Sequence, residues 1–93
     1  MTDKELLEIV KSDLGVTGNF LDTKIKGKIN EVINYLTDAG ADKLVIYHES
    51  SVGVIARGVS DLMGEGDVSL SPYFMQRAIQ ICSKNRSEVY EGL

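Results

Sequence analysis

Cysteine and histidine are nearly absent from this sequence, and their scarcity excludes metal-built folds. The 93 residues include one cysteine, Cys82, and one histidine, His48. A single cysteine cannot form a disulfide within the chain, and two such side chains are too few for a zinc site. Glu65 and Asp67 lie in a glycine-rich stretch, but an EF-hand needs more oxygen ligands and a terminal glutamate. We therefore predict no metal ion and no internal disulfide.

Long apolar runs and an excess of basic residues are also missing. No run approaches the ~20 apolar residues that span a bilayer, and the opening residues, MTDKELLEIV, do not follow the order of a signal peptide. We therefore expect a cytosolic product that makes no membrane contact. Ten basic and 14 acidic residues give a net charge of −4, which disfavours nucleic acid as a primary ligand. A local basic surface is still possible, because charged patches act over short distances.

Common motifs of catalysis and nucleotide binding are absent as well. No serine lies in a G-x-S-x-G sequence, and Val59 stands where a Walker A loop would need its lysine. His48 and Glu49 are adjacent, so their side chains point to different sides, and we expect an exposed histidine. Cys82 lies on an apolar face, where a thiol packs as a small hydrophobe. We predict that the chain is not an enzyme and uses no cofactor.

Helical periodicity is what the sequence does contain. Apolar residues recur at helical spacing in four stretches, namely residues 3–14, 19–40, about 50–64 and 72–83. Leu44 to Tyr47 could form a short strand or the first turn of the third helix, but no partner strand is evident, and we expect a turn or loop. The predicted fold class is all-α: a small bundle of about four helices in one domain, residues 1–83, followed by a flexible C-terminal tail, residues 84–93.

Helix-capping residues mark the ends of these stretches. Thr2 and Glu5 have the spacing of a capping box, and Gly15 suits a left-handed C-cap. Asn19 is the predicted N-cap of the second helix, and Gly64 is the predicted C-cap of the third. In the fourth helix, Ser71 is the predicted N-cap and Pro72 the first residue. The fourth helix has a wide apolar face, which predicts a central position: Phe74, Met75, Ala78, Ile79, Ile81 and Cys82.

The third helix carries two glycines and a charged pair. On one face we expect Val52, Ile55, Ala56, Val59 and Met63, whereas Arg57 and Asp61 lie on the other. Gly53 and Gly58 permit a close backbone approach, either to a neighbouring helix or to another subunit. Arg57 and Asp61 are four residues apart, where they can pair within the helix or across a subunit boundary.

Three lysines, Lys24, Lys26 and Lys28, follow one another at alternate positions of the second helix. Lys24 and Lys28 are about one turn apart, whereas Lys26 lies on the far flank of the apolar stripe, so the three do not form one patch. They fit either a solvated helix face or a surface that touches DNA or an acidic partner.

The order of several motifs resembles the small head–tail connector proteins of tailed bacteriophages and prophages, which are also called DNA-packaging or head-completion proteins. The motifs are YLTDAGAD, then VGVIARGVSDLM, a glycine-rich break, and VSLSPYFMQRAIQI. The resemblance covers residues from about 20 to 82, and residues 53–80 carry most of it. An aromatic residue often follows the Asp-Leu pair in that family, whereas this chain has Met63, a difference that should alter packing more than function.

The resemblance implies a structural protein that works without catalysis. It would assemble as a ring under the portal protein, extend the DNA channel and form a platform for the next head–tail joining or tail protein. Its location would be the virion, at the head–tail junction, after assembly in the cytoplasm of a bacterial host. Each subunit of a ring can bury further apolar surface against its neighbours, which suits a domain with a modest core.

From this resemblance we predict roles for three sets of residues. The predicted subunit interface consists of Gly53, Arg57, Gly58 and Asp61. The predicted channel surface, in transient and non-specific contact with DNA, consists of Lys24, Lys26 and Lys28. The predicted portal-docking residues lie in the tail: Lys84, Arg86, Val89, Tyr90 and Leu93.

A small helical DNA-binding regulator is the alternative. The last helix offers Gln76, Arg77, Gln80 and Lys84 as groups that could read bases. The connection between the third and fourth helices is longer than the turn of a helix-turn-helix, which favours the connector.

Overall fold

The predicted all-α fold class is confirmed by a computed structural model. The structure describes residues 1–64 and 69–84. No strand occurs in these two ranges. Five α-helices are present there, and α3 is a single turn that leads into a 3₁₀ turn, Glu49–Ser51. The helices are α1 (Asp3–Leu14), α2 (Asp22–Asp38), α3 (Lys43–Ile46), α4 (Val52–Leu62) and α5 (Pro72–Lys84).

The ends of α1 are those predicted from the sequence. The Glu5 amide donates to Thr2 Oγ1 at 3.1 Å, and the Thr2 amide donates to Glu5 Oε1 at 3.2 Å, which completes the capping box. The Thr2 hydrogen bonds lower the pKa of the Glu5 carboxyl. Gly15 ends the helix at φ 72°, a left-handed conformation that favours glycine.

The start of α2 differs from the prediction. The helix begins at Asp22, with Leu21 as an N-cap that makes no side-chain hydrogen bond. Asn19 is not the cap, because the first bond of the helix runs from the Ile25 amide to the Leu21 carbonyl, at 2.9 Å. The Asn19 carbonyl accepts from the Asp22 amide at 3.2 Å, in a turn before the helix. The first turn is instead joined to α1 by an ion pair, in which Lys11 Nζ lies 2.8 Å from Asp22 Oδ1.

The segment between α2 and α4 is more regular than the predicted turn or loop. Asp42 caps α3 by accepting from the Leu44 amide at 3.1 Å, and Val45 and Ile46 are buried. The buried Ser51 hydroxyl donates to the Val45 carbonyl at 2.6 Å. This side-chain bond holds α3 against the start of α4, an arrangement that apolar periodicity over so few residues cannot reveal.

The central helix is α4 and not α5, which corrects the sequence-based expectation. It contacts α1, α2 and α5, and its buried residues extend around more than one side. They are Val54, Ile55, Ala56, Gly58 and Val59, whereas Val52 and Met63 are half-buried. The C-cap of α4 is Met63 rather than Gly64.

The last helix is capped as predicted but has a narrower buried face. The Phe74 amide donates to Ser71 Oγ at 3.2 Å, and Pro72 is the first helical residue. Phe74, Ala78 and Ile81 are buried in the core. Met75 and Ile79 are exposed, so part of the wide apolar face of α5 lies at the surface.

Candidate functional site

Part of the predicted subunit interface lies at the surface of α4. Gly53 and Arg57 line a shallow depression with Ser60, Tyr73 and Asp13, between α4, α5 and the end of α1. The guanidinium carbon of Arg57 lies 5.1 Å from the centre of the Tyr73 ring, in range of a cation–π contact. Arg57 and Tyr73 are both substantially exposed, so this α4 surface presents a charge and an aromatic ring to solvent.

Asp61 makes its contacts within the chain. Its Oδ1 accepts from Arg57 Nε at 3.1 Å, and its Oδ2 accepts from the Ser71 amide at 3.0 Å. The side chain is 11% exposed, and burial by itself would raise the carboxyl pKa. The hydrogen bonds from Ser71 and the charge of Arg57 outweigh burial, so the Asp61 pKa lies below its ordinary value of 3.8. Asp61 therefore ties the end of α4 to the start of α5.

We expect Asp61→Asn to destabilise the fold at neutral pH by about 1–2 kcal/mol, because an amide cannot replace two charge-assisted bonds. Since the folded pKa is depressed, the carboxylate contributes its full stability above pH 3.8 and loses it as the pH falls through the folded pKa. The difference between wild type and variant should therefore persist at pH 5 and close only below pH 3.8. Urea unfolding at several pH values measures it, and a pH-independent difference would contradict this assignment.

The two predicted glycines of α4 have different surroundings. A Cβ atom at Gly53 would meet nothing within 4 Å. At Gly58 it would lie 2.8 Å from Phe74 Cε2 and 2.9 Å from Val32 Cγ2. Gly58 is buried, so the close approach that it permits is between helices of one subunit, and the structure accounts for this glycine without a second copy. Gly53 is exposed, and its place in a subunit interface stays a prediction.

The structure separates the three predicted channel lysines. Lys24 and Lys26 are exposed, and Lys26 lines a groove between α1 and α2 that also contains Asp3 and Glu8. Lys28 Nζ lies 3.4 Å from Glu31 Oε1. Carboxylates therefore lie in the surroundings of Lys26 and Lys28, and the contact of the three lysines with DNA stays a prediction.

The predicted portal-docking residues fall almost entirely outside the described residues. Lys84 is the last residue of α5. Arg86, Val89, Tyr90 and Leu93 lie beyond residue 84, outside the described ranges, and their role stays a prediction.

His48 caps a turn, and Cys82 packs against the core. His48 is exposed, as predicted, and its Nδ1 accepts from the Ser50 amide at 3.2 Å, which caps the 3₁₀ turn. Cys82 is half-buried against the core, and burial raises the pKa of its thiol. A raised thiol pKa lowers the fraction of reactive thiolate at neutral pH.

Exposed apolar side chains are the surface feature that the sequence analysis missed. Six large ones are exposed in the described ranges: Ile9, Phe20, Leu44, Tyr73, Met75 and Ile79. The extreme case is Phe20, which is 94% exposed in the loop between α1 and α2. Its position after Thr17, Gly18 and Asn19, in a polar loop and outside the apolar stripe of α2, is the signal that could have identified it.

None of the helices in residues 1–64 and 69–84 has the length and apolarity to cross a membrane. The same ranges contain no group of three or more His, Cys, Asp or Glu side chains placed to hold a metal ion. No family model, curated protein sequence or solved structure matches the chain.

Proposed function

We propose that this chain is a structural head–tail connector of a tailed bacteriophage or prophage. It docks as a ring under the portal protein, extends the DNA channel and forms a platform for the next head–tail joining or tail protein. The observation that carries the proposal is the apolar surface of this small helical domain, with Phe20 and Ile79 94% and 67% exposed. Met75 and Ile79 line one apolar groove, and an exposed apolar groove is typical of a surface that docks a partner.

The resemblance at residues 53–80 is the reason for proposing a phage connector over another docking protein. Asp61, which belongs to the Asp-Leu pair of the resemblance, joins α4 to α5 by accepting from the Ser71 amide, so part of the motif serves the fold of the subunit. Gly53, Arg57 and Tyr73 remain at the surface for a neighbouring subunit. Lys24 is exposed for weak contact with the DNA backbone, which allows the duplex to slide.

The decisive experiment is quantitative mass spectrometry of gradient-purified, DNA-filled particles from the parent phage or induced prophage. We expect this chain at a copy number near that of the portal protein. Particles from a portal-deficient mutant are the control and should contain none of it. Intact tailed particles without the chain would overturn the connector proposal.

A gel-shift assay on the purified chain separates the connector from the DNA-binding regulator. A connector subunit with a net charge of −4 should not shift a short duplex at physiological salt. A salt-dependent shift, together with absence from particles, would favour the regulator.

A further inference from the structure

The exposed side chain of Phe20 has no role in the fold. It lies between the end of α1 and the first residue of α2, and it is 94% exposed. The next residue, Leu21, packs against the core, and Asp22 pairs with Lys11. The chain is therefore held directly after Phe20, while the ring itself faces solvent. An aromatic anchor on a fixed loop loses little conformational entropy on binding.

An apolar groove lies between the C-terminal end of α2 and α5. Its lining residues are Tyr35, Ala39, Met75, Ala78, Ile79 and Cys82. Tyr35 is fixed there, since its hydroxyl lies 2.9 Å from Met75 Sδ and its ring packs at 5.6 Å from that of Phe74. The groove has a volume of about 330 Å³. A cavity of roughly 150 Å³ already holds benzene, and a methionine sulfur makes favourable contacts with aromatic rings.

Phe20 and the groove lie at opposite ends of α2. Tyr35 is 13 positions beyond Asp22, and at 1.5 Å per residue the two are about 20 Å apart along the helix axis. Phe20 therefore cannot reach the groove of its own subunit. The charges also differ: exposed Lys24 lies near Phe20, at the positive end of the helix dipole, and exposed Asp38 adjoins the groove at the negative end.

We propose that Phe20 of one copy inserts into the α2–α5 groove of a second copy. The occupant is another copy of this chain because the Phe20 ring matches the apolar lining of the groove, because the charges beside the two surfaces are opposite, and because the two surfaces cannot meet within one molecule. Such a contact is heterologous, and repeated head to tail it generates a ring when the rotation closes. Closure of the ring by this contact rests on the proposed connector function.

The native cysteine of the groove allows a direct test by disulfide crosslinking. In the full-length Phe20→Cys variant, mild oxidation at high protein concentration should join residue 20 of one copy to Cys82 of the next. We expect a ladder of covalent multimers on non-reducing gels and a 20–82 disulfide peptide by mass spectrometry. The ladder should disappear in the variant that also carries Cys82→Ser. Leu44→Cys is the matched control, since Leu44 is exposed but lies outside the groove; its ladder should be at least tenfold weaker.

Two further variants test the contact without a crosslink. Phe20→Ser and Ile79→Lys change exposed side chains, so circular dichroism should stay unchanged while the dissociation constant of self-association, measured by sedimentation velocity, rises at least tenfold. A 20–82 peptide that is missing even at protein concentrations above the dissociation constant of the Phe20→Cys variant itself overturns the proposal. Self-association that Ile79→Lys abolishes but Phe20→Ser preserves also overturns it, because another segment then occupies the groove.

The particle experiment distinguishes failure of this contact from failure of the connector function. If the chain is present at portal copy number but the 20–82 disulfide does not form, the connector proposal is supported and this contact is wrong. The disulfide without any chain in particles would support the contact in a different assembly.

Discussion

Gly58→Ala should lower the free energy of unfolding by about 2 kcal/mol, since overpacking a core costs about 1–3 kcal/mol even though alanine favours helix. The added Cβ would lie 2.8 Å from Phe74 Cε2 and 2.9 Å from Val32 Cγ2. Both neighbours are fully buried, so neither can move without disturbing the contacts of α2 and α5. For a domain of this size, the midpoint temperature of thermal unfolding should fall by roughly 10 °C.

Gly53→Ala is the matched control on the same helix. Its Cβ would enter open space, so the substitution should stabilise the fold by about 0.5–1 kcal/mol through helix propensity. Phe74→Leu provides a second control, because it shortens the ring that the Gly58 Cβ would strike. In that background, Gly58→Ala should cost at least about 0.5 kcal/mol less than in wild type. Equal effects of the two alanines would contradict the close packing of α4 against α5.

Local signals predicted the helices well, whereas long-range packing decided which helix became central. The capping box of Thr2 and Glu5 and the Ser71 cap depend on residues within one turn, and both are present. The width of the apolar face of α5 suggested a central helix. In the structure α4 takes that place, because Gly58 lets Phe74 and Val32 approach its backbone and so buries the helix on more than one side.

The candidate site was predictable only where the relevant partner lay close in sequence. The Arg57–Asp61 pair follows from its spacing, but the Ser71 amide is ten positions from Asp61 and no periodicity connects them. The polar residues before Phe20 indicate a loop, but how far its ring projects depends on how the chain is held at Leu21 and Asp22. The groove that we assign to Phe20 combines residues from α2 and α5, far apart in sequence.

Lys11→Met should lower the free energy of unfolding by about 2–3 kcal/mol, because breaking a buried ion pair leaves the other charge uncompensated. Lys11 Nζ lies 2.8 Å from Asp22 Oδ1, and the two side chains are 7% and 22% exposed. No hydrogen bond of good geometry satisfies this buried Asp22 oxygen in the described structure, so its compensation comes from the charge of Lys11. The pair also suits both helix dipoles, since Lys11 lies in the last turn of α1 and Asp22 in the first turn of α2.

The exposed pair of Lys28 and Glu31, at 3.4 Å, is the matched control. Lys28→Met should cost no more than about 0.5 kcal/mol, and that cost should vanish in high salt. The cost of Lys11→Met should persist in salt, because a buried pair is screened far less. Replacing both partners, with Lys11→Met and Asp22→Leu together, should restore stability to within about 1 kcal/mol of wild type, since no charge is then left buried. If Lys11→Met costs as little as Lys28→Met in chemical denaturation, solvent reaches Asp22 and the ion pair does not fix α2 to α1.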